Sequence, residues 1–268
     1  IRKPILATIE SLETYMAAWN PEQAVEVGLI RVPIAEFNKS ALREGIINAF
    51  SHRDYSLMGR IRISINDEGL TISNPGGFID GISVDNLLEA EPHGRNVCLA
   101  DCLKRIGLAE RSGRGIDRIF EGSLLYGKAL PDYSKSTSTT VNLFIPRSQP
   151  DLALTEMIVN EQNKLGRTLS LNMLLVLNAM RELRKASFEE IVLLTRLSES
   201  LVRNVIGQLL DLGIFELRGS GRSREYMFSA SVYKQKGQVA KYVTISDIEE
   251  YRYDELVLKL AQQSEFIT

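Results

Sequence analysis

Cysteine, histidine and tryptophan are scarce in this chain: two, two and one among 268 residues. So few thiols and imidazoles argue against a zinc centre. Cys98 and Cys102, four apart in a predicted helix, read as reduced core thiols rather than a disulfide or metal pair, which suits a reducing, cytoplasmic setting. No apolar run approaches the roughly 18 residues of a membrane span, and no signal-peptide pattern opens the chain, so no membrane partner is expected. Charge of one sign is also missing. Lys and Arg number 32 against 34 Asp and Glu, a net −2, so any contact with nucleic acid must come from a local patch. The 44% apolar and 25% charged composition is that of an ordinary globular protein of one large or two modest domains. The chain opens Ile1-Arg2-Lys3 without Met and closes Glu265-Phe266-Ile267-Thr268 directly after a predicted helix, which reads as a piece of a longer protein.

What is present is one unusual stretch, 41–56. Read as a helix, it places Glu44, Asn48 and His52 at i, i+4 and i+8, each step of four turning the chain by about 400°. The three polar groups form one slowly drifting stripe. Leu42, Ile46, Ala49 and Phe50 fall mostly on the other side, where they can pack on a sheet. A carboxylate, an amide and an imidazole on one face of a half-buried helix suit an ion or a water held beside a bound phosphate. A surface helix with incidental polar residues is the other reading of the same spacing.

Upstream, 4–19 is amphipathic, with Ile5, Ile9, Leu12, Met16 and Trp19 on one face, and Asn20-Pro21 ends it. Val25, Val27 and Leu29 alternate within 22–32, which reads as a strand. The central stretch should end near Asp54-Tyr55-Ser56. Ile61, Ile63 and Ile65 then alternate with Arg60, Arg62 and Ser64, and after the turn Asp67-Glu68-Gly69 a second strand carries Leu70 and Ile72. That strand runs into Asn74-Pro75-Gly76-Gly77, where paired glycines permit close backbone approach to a ligand or simply make a turn. A polar loop through Pro92-His93-Gly94 leads to a helix over about 95–106. Ser112-Gly113-Arg114-Gly115-Ile116 opens the next helix, whose first N–H groups would be bare for an anion, with Arg114 adding a cation. Residues 140–145 alternate as a closing strand.

Pro146 to Pro150 reads as a boundary, after which strand signals nearly vanish. Helices are predicted over 152–163, 171–184, 188–195 (capped by Ser187) and 197–212. The last turns Leu201, Val205, Leu209 and Leu212 inward and stops at Gly213. Residues 214–228 read as a hairpin around Gly219-Ser220-Gly221. Three helices followed by a hairpin is the order of a winged helix-turn-helix. Its recognition helix offers Ser198, Ser200, Arg203 and Asn204, and its wing Arg218, Arg222 and Arg224, placed to reach phosphates or a minor groove of double-stranded DNA. A winged helix used only for dimerisation or protein contact is the alternative. Ser246 and Glu249 form a capping box for a last helix to about 263.

Two partial motifs lead nowhere. Gly122 to Lys128 spells most of a P-loop, but Ala129 stands where Ser or Thr is needed and the segment leaves a helix. His52-Arg53-Asp54 matches a kinase catalytic loop only until Gly59, where that loop needs Asn.

The 41–56 stretch, Asn74-Pro75-Gly76-Gly77, Gly113-Arg114-Gly115-Ile116 and the closing strand occur in one order. In that order they resemble the GHKL, or Bergerat, ATP-binding fold, and more narrowly its divergent branch in bacterial putative transcriptional regulators. Those proteins often carry an AlbA-like, Schlafen-related domain before this one, and some are labelled helicase-related. The resemblance implies an α+β fold. Residues 1–147 would form a GHKL-like two-layer α/β sandwich, with a mixed, mainly antiparallel sheet and helices on one face. A linker would follow at 148–151, then a winged helix at 152–230 and a truncated helical extension at 231–268.

Carried over residue by residue, the resemblance makes Glu44 the catalytic base that orients the attacking water and assigns Asn48 to Mg2+ and the triphosphate. His52 joins that site. Gly113, Arg114 and Gly115 would line the phosphates, and Asn74, Gly76 and Gly77 would border the adenine pocket. An Asn carbonyl is a hard oxygen ligand suited to Mg2+, and positioning a water is most of what such a hydrolysis asks of side chains. The sequence departs from the family where an Asp anchors adenine: Ser73 or Asn74 stands there. The expected function is a cytoplasmic transcriptional regulator whose ATP-binding-like domain modulates DNA binding and possible homo-oligomerisation. A DNA-binding or oligomerisation protein with a non-catalytic scaffold, and an ATPase serving DNA transactions, are the alternatives.

Overall fold

The computed structural model describes residues 3–27, 30–91, 94–109, 114–219 and 224–235. The chain divides into two compact units, Ile1–Val159 and Asn160–Thr268. Among the described residues no helix is long and apolar enough to cross a membrane.

The first unit begins with α1 (Ile5–Trp19), which buries Ile9 and Met16. Trp19, expected on the same face, is 70% exposed. The following residue takes the inward place instead: the buried Asn20 amide both donates to and accepts from the backbone of Phe37, at 2.8 Å each way. Residues 22–32 hold not one strand but parts of two. β1 (Glu22–Val27) and β2 (Ile30–Ala35) form an antiparallel hairpin with Val25 opposite Val32. Period-two alternation in the sequence does not mark where one strand stops and the next begins, so it cannot by itself count strands.

Helix α2 (Lys39–Ser51) starts at Asn38, whose Oδ1 accepts from Ser40 and Ala41 N–H at 2.9 and 3.1 Å. It ends at Ser51, ahead of the predicted stop near Asp54-Tyr55-Ser56. Non-local partners intercept the backbone there. The Asn96 side chain donates to the Ser51 and Arg53 carbonyls, both at 2.8 Å, and the Asp54 N–H donates to the Pro75 carbonyl at 2.8 Å.

Strands β3 (Arg62–Ile65), β4 (Gly69–Pro75) and β5 (Thr140–Pro146) make a sheet in the order β3-β4-β5. The expected mixed sheet is not found. Every ladder among the described residues is antiparallel, and the Gly76–Thr140 contact is an isolated parallel bridge. Helix α2 lies on this sheet with Gly45 facing Leu143 and Ile72. α3 (Val97–Arg105) buries Leu103 and turns Cys98 and Cys102 outward as exposed free thiols, not core residues. The apolar residue on the inner face of α3 is Leu103, so the two cysteines are left to the solvent side.

α4 (Gly115–Leu124) crosses α2 in the opposite direction. Its Gly122 sits on Asn38 and Ala41 at the start of α2, and its Gly115 sits on Glu44, one turn further along. Residues seven apart return to nearly the same helix face, so two glycines let the backbones of α2 and α4 approach. At the exit of α4, the P-loop-like segment is a helix end. Gly127 has φ +58°, and the buried Lys128 ammonium donates to the Ala35 and Glu36 carbonyls at 2.8 and 2.9 Å.

The division between units falls within α5 (Leu152–Leu165). The second unit continues with α6 (Leu171–Leu183), the short β6 (Lys185–Ala186), α7 (Phe188–Thr195), α8 (Glu199–Asp211), β7 (Phe215–Arg218), β8 (Glu225–Phe228) and α9 (Ala230–Gln235). The predicted helices and hairpin are present, and β6 joins the hairpin to give the order β6-β8-β7. A capping box starts α7: Glu190 N–H donates to Ser187 Oγ, and Ser187 N–H donates to the Glu190 carboxylate at 2.8 Å. Leu174, Met180, Ile191, Val202, Leu209 and Met227 are fully buried between these elements. The inward face of α8 is Val202, Val205, Ile206 and Leu209 rather than the predicted set with Leu201 and Leu212. Both sets contain Val205 and Leu209, and packing on α6 selects the frame one residue along. The predicted helix after Ser246, the hairpin tip at Ser220-Gly221, and the loop residues Pro92, His93 and Ser112 lie outside the described residues.

Two glycine substitutions should move stability in opposite directions. A methyl on Gly122 would stand 2.8 Å from the Asn38 and Ala41 Cβ atoms, whereas one on Gly207 in α8 meets nothing within 4 Å. Gly122→Ala should destabilise by about 1–3 kcal/mol through overpacking. Gly207→Ala should stabilise by about 0.5–1 kcal/mol from helix propensity alone. Urea denaturation measures both, and a neutral Gly122→Ala would refute the close α2–α4 contact.

Candidate functional site

The stripe on α2 opens into a cavity of about 330 Å3 in the first unit, walled by Glu44, Asn48 and His52. Packing explains why polar groups are inside. Leu42, Ile46 and Ile47 are buried in the core, so the remaining face of α2 is turned along the cavity. Glu44 is only 6% exposed. The amide of Asn48 makes no hydrogen bond among the described residues, which leaves both its oxygen and its nitrogen available to a ligand.

The opposite wall comes from the sheet: Ile72 and Asn74 on β4, Val141 and Leu143 on β5. Of the two candidates for the adenine-anchoring place, Asn74 is the one in the cavity. It is buried and its Nδ2 donates to the Pro75 carbonyl at 3.2 Å. A carbonyl can only accept, so this bond fixes which amide atom is the nitrogen and uses one of its two N–H groups, leaving Oδ1 and the second N–H for a ligand. Segment 77–91 contributes Phe78, Ile79, Ile82, Leu87 and Leu88 to the same chamber, making it predominantly apolar. A small number of polar groups in an apolar chamber of this size is the usual make-up of a small-molecule site.

Tyr133 closes the floor. Its ring tilts against Phe78 at 6.1 Å, and burial with the nearby Glu44 carboxylate raises its phenol pKa well above the ordinary value, so it stays neutral. The start of α4 approaches Glu44 so closely that a methyl on Gly115 would collide with the carboxylate. Asp117, near the start of the same helix, has its carboxyl pKa raised by burial, with Arg114 opposing. A second cavity of about 340 Å3, lined by Ser40, Arg43 and Arg118, shares Glu44 and Ala109 with the first. Glu44 thus stands between an apolar chamber and a polar one.

The mouth is held by a clasp. Gly76, at φ +97°, packs on Asp54, where a Cβ would come within 2.7 Å of the Asp54 Cβ. Arg95 spans from the Asp54 carboxylate (3.4 Å) to the Gly77 carbonyl (3.0 Å). Arg53 donates to the Asp54, Leu57 and Gly59 carbonyls and lies over the Tyr55 ring at 4.8 Å. The carboxyl of Asp54 is held below its ordinary pKa, first by the hydrogen bonds from Ser56. His-Arg-Asp-Tyr-Ser is therefore a structural element that pins the end of α2 to the Pro-Gly-Gly turn.

Of the residues predicted for the nucleotide, Glu44, Asn48, His52, Asn74, Gly77 and Gly115 meet in one chamber. Gly76 serves the clasp rather than the wall, and Arg114 is exposed beside the start of α4. Gly113 lies outside the described residues, as does Arg222. Sequence reading missed Tyr133, Arg95, Lys104 and the apolar lining from 78–88. The run of Phe78, Ile79, Ile82, Leu87 and Leu88 after the glycine pair was the available signal. In the second unit, Ser198, Ser200, Arg203 and Asn204 are exposed together at the start of α8, with Arg203 over the Phe188 ring at 4.7 Å. Arg224 is exposed. Arg218 is held by Glu216 at 3.0 Å on the same strand, which offsets its charge.

Comparison with known proteins supports an ATPase-like reading of the first unit. Residues 59–144 match the family described as "Putative ATP-dependent DNA helicase recG C-terminal". The matched span runs from β3 to β5 and starts after α2, so Glu44 and Asn48 rest on the cavity geometry alone. The match supports a divergent, helicase-related ATPase-like domain. No curated protein matches the chain. Among solved structures, the DIP2311 protein from Corynebacterium diphtheriae is similar in fold, with a TM-score of 0.71 at 20% identity. The similarity covers 88% of this chain and 48% of that one, so the chain spans about half the length of that protein.

His52 makes the site sensitive to pH. Burial, and then the Arg95 guanidinium, lower its pKa below the ordinary 6.5. The unfolded chain therefore takes up a proton as pH falls through that value while the folded chain does not, and stability declines until the folded pKa is reached. His52→Gln should shrink the drop in urea midpoint between about pH 7.5 and about pH 5.5. A drop of unchanged size would show that the imidazole is not held neutral.

Proposed function

We propose that the chain is a nucleotide-responsive DNA-binding regulator, with a GHKL-like ATP site in the first unit and a winged helix in the second. The observation that carries this reading is the uncommitted Asn48 amide beside buried Glu44, in an apolar chamber that also presents the Asn74 oxygen. Asn74 would accept from the amino group of adenine, and Phe78 and the leucines would cover the base. Asn48 would offer its carbonyl to Mg2+, which keeps most of its ligands as water and phosphate oxygens and needs few from protein. Bound Mg2+ and ATP would supply a polarised phosphoanhydride. Glu44, reaching toward the polar cavity with Arg43 and Arg118, is placed to orient a water. Gly115 keeps the start of α4 against that carboxylate.

For the second unit, the exposed set Ser198, Ser200, Arg203 and Asn204 would enter a groove of double-stranded DNA, and Arg224 would reach phosphate. Arg222 belongs to the same proposal. The description of the matched family, a DNA helicase C-terminal region, supports an association with DNA transactions. The likeness to regulators that carry an AlbA-like domain ahead of this fold supports the regulatory role. An open chamber, rather than one filled by side chains, favours ligand binding over a pure scaffold.

Calorimetry and DNA affinity together test the reading. Mg2+-dependent ATP binding is expected, weakened roughly tenfold or more by Asn48→Ala, while Glu44→Ala should spare binding and abolish turnover. DNA affinity should fall steeply with salt. Arg203→Ala and Arg224→Ala should each flatten that slope by about one, as one phosphate ceases to be neutralised. No Mg2+-dependent heat, with DNA affinity indifferent to Asn48→Ala, would refute the coupling. No DNA binding at low salt would refute the winged-helix role.

A further inference from the structure

The sheet of the first unit has two different edges. At β5 the edge is engaged: Asp132 and Phe144 exchange backbone hydrogen bonds at 2.8 Å in both directions. At β3 it is bare. The turn is closed by the Asn66 N–H donating to the Gly69 carbonyl, so the hydrogen-bonded pairs alternate back along β3 at Ser64–Thr71 and Arg62–Ser73. The N–H and C=O groups of Ile63 and Ile65 therefore point away from β4, and among the described residues they have no partner. Such an edge is a template for another strand.

The side chains along that edge are self-complementary. Arg60 and Arg62 precede Ser64 on its exposed face, and Glu68 follows in the turn. None of these three charged side chains makes an ion pair or hydrogen bond among the described residues. Just before them, Met58 is 98% exposed and Leu57 is also exposed, apolar surface that a monomer leaves in water.

We propose that β3 pairs antiparallel with β3 of a second copy of this chain, about a two-fold axis, extending the three-stranded sheet across two protomers. The outward groups of Ile63 and Ile65 fix the allowed registers. A two-fold at Ile63 sets Ile63 opposite its counterpart and Arg62 opposite Ser64, with Arg60 running toward the partner's turn that holds Glu68. A two-fold at Ser64 sets Ile63 opposite Ile65 and carries Arg60, just before the strand, to the partner's turn that holds Glu68. Both registers join unlike charges twice over, once on each side of the axis. The register that would oppose Arg62 to Arg62 is disfavoured by repulsion. Short charged edges commonly resist pairing. This one differs because its charge changes sign from one end to the other, so reversing the strand direction brings basic against acidic. Met58 and Leu57 then lie over the partner's turn and leave water.

A short strand pair makes a modest interface, so the dimer belongs in the micromolar range or weaker, with a marked salt dependence. Sedimentation or light scattering across a concentration series of the 268-residue chain reads it directly. Arg60→Glu and Glu68→Arg should each weaken dimerisation by roughly tenfold, and the double variant should return it to within about threefold of the original. Ile63→Pro removes an outward N–H without touching the β4 ladder and should abolish the dimer, its unfolding midpoint serving as the check on folding. A monomer at every concentration overturns the proposal. So does a dimer that the single reversals leave unchanged or that the double reversal does not restore.

Discussion

The contact that everything in the first unit depends on is the close crossing of α4 over α2 on two glycines. Gly122 settles on the Asn38–Ala41 turn, and Gly115 settles on Glu44. With side chains at those positions, α4 would stand off, and its first turn could no longer adjoin the Glu44 carboxylate. The same crossing buries Glu44 without removing it from both cavities.

A second constraint works at the other end of α2. The helix would continue by its own propensity, but Asn96, Pro75 and Arg95 capture the backbone and side chain of the following residues. His52 is thereby turned into the chamber from the helix cap instead of from a further helical turn. The clasp couples the cavity mouth to the loop that carries Met58 and then to the edge strand β3. Chamber, clasp and edge are successive parts of one continuous segment. A change in how the chamber is occupied has a covalent path to the surface where a second chain is proposed to pair.

Much of this is legible in the sequence because it depends on local periodicity. The Glu44–Asn48–His52 stripe, the strands around Ile63 and Ile72, and the capped helix after Ser187 all follow from spacings of two, three or four residues. What escapes depends on partners far along the chain. Helix α2 stops where Asn96 intervenes, Trp19 is displaced by Asn20 bonding to Phe37, and Tyr133 joins the site from a loop with no motif. Cysteine usually is buried, which predicts a core position for Cys98 and Cys102, yet the residue that α3 turns fully inward is Leu103. The frame of α8 shifts by one residue because two overlapping apolar stripes share Val205 and Leu209. Choosing between Ser73 and Asn74 requires the register of β4, since neighbouring residues on a strand face opposite sides.

The central claim is that the chamber takes a nucleotide. The most direct measurement is a crystal structure of the chain with a non-hydrolysable ATP analogue and Mg2+. It should place the base between Asn74 and Phe78, with the phosphates running past Asn48 toward Glu44 and the start of α4. A chamber that remains without analogue at saturating concentration, or that closes by moving its own side chains inward, would contradict it.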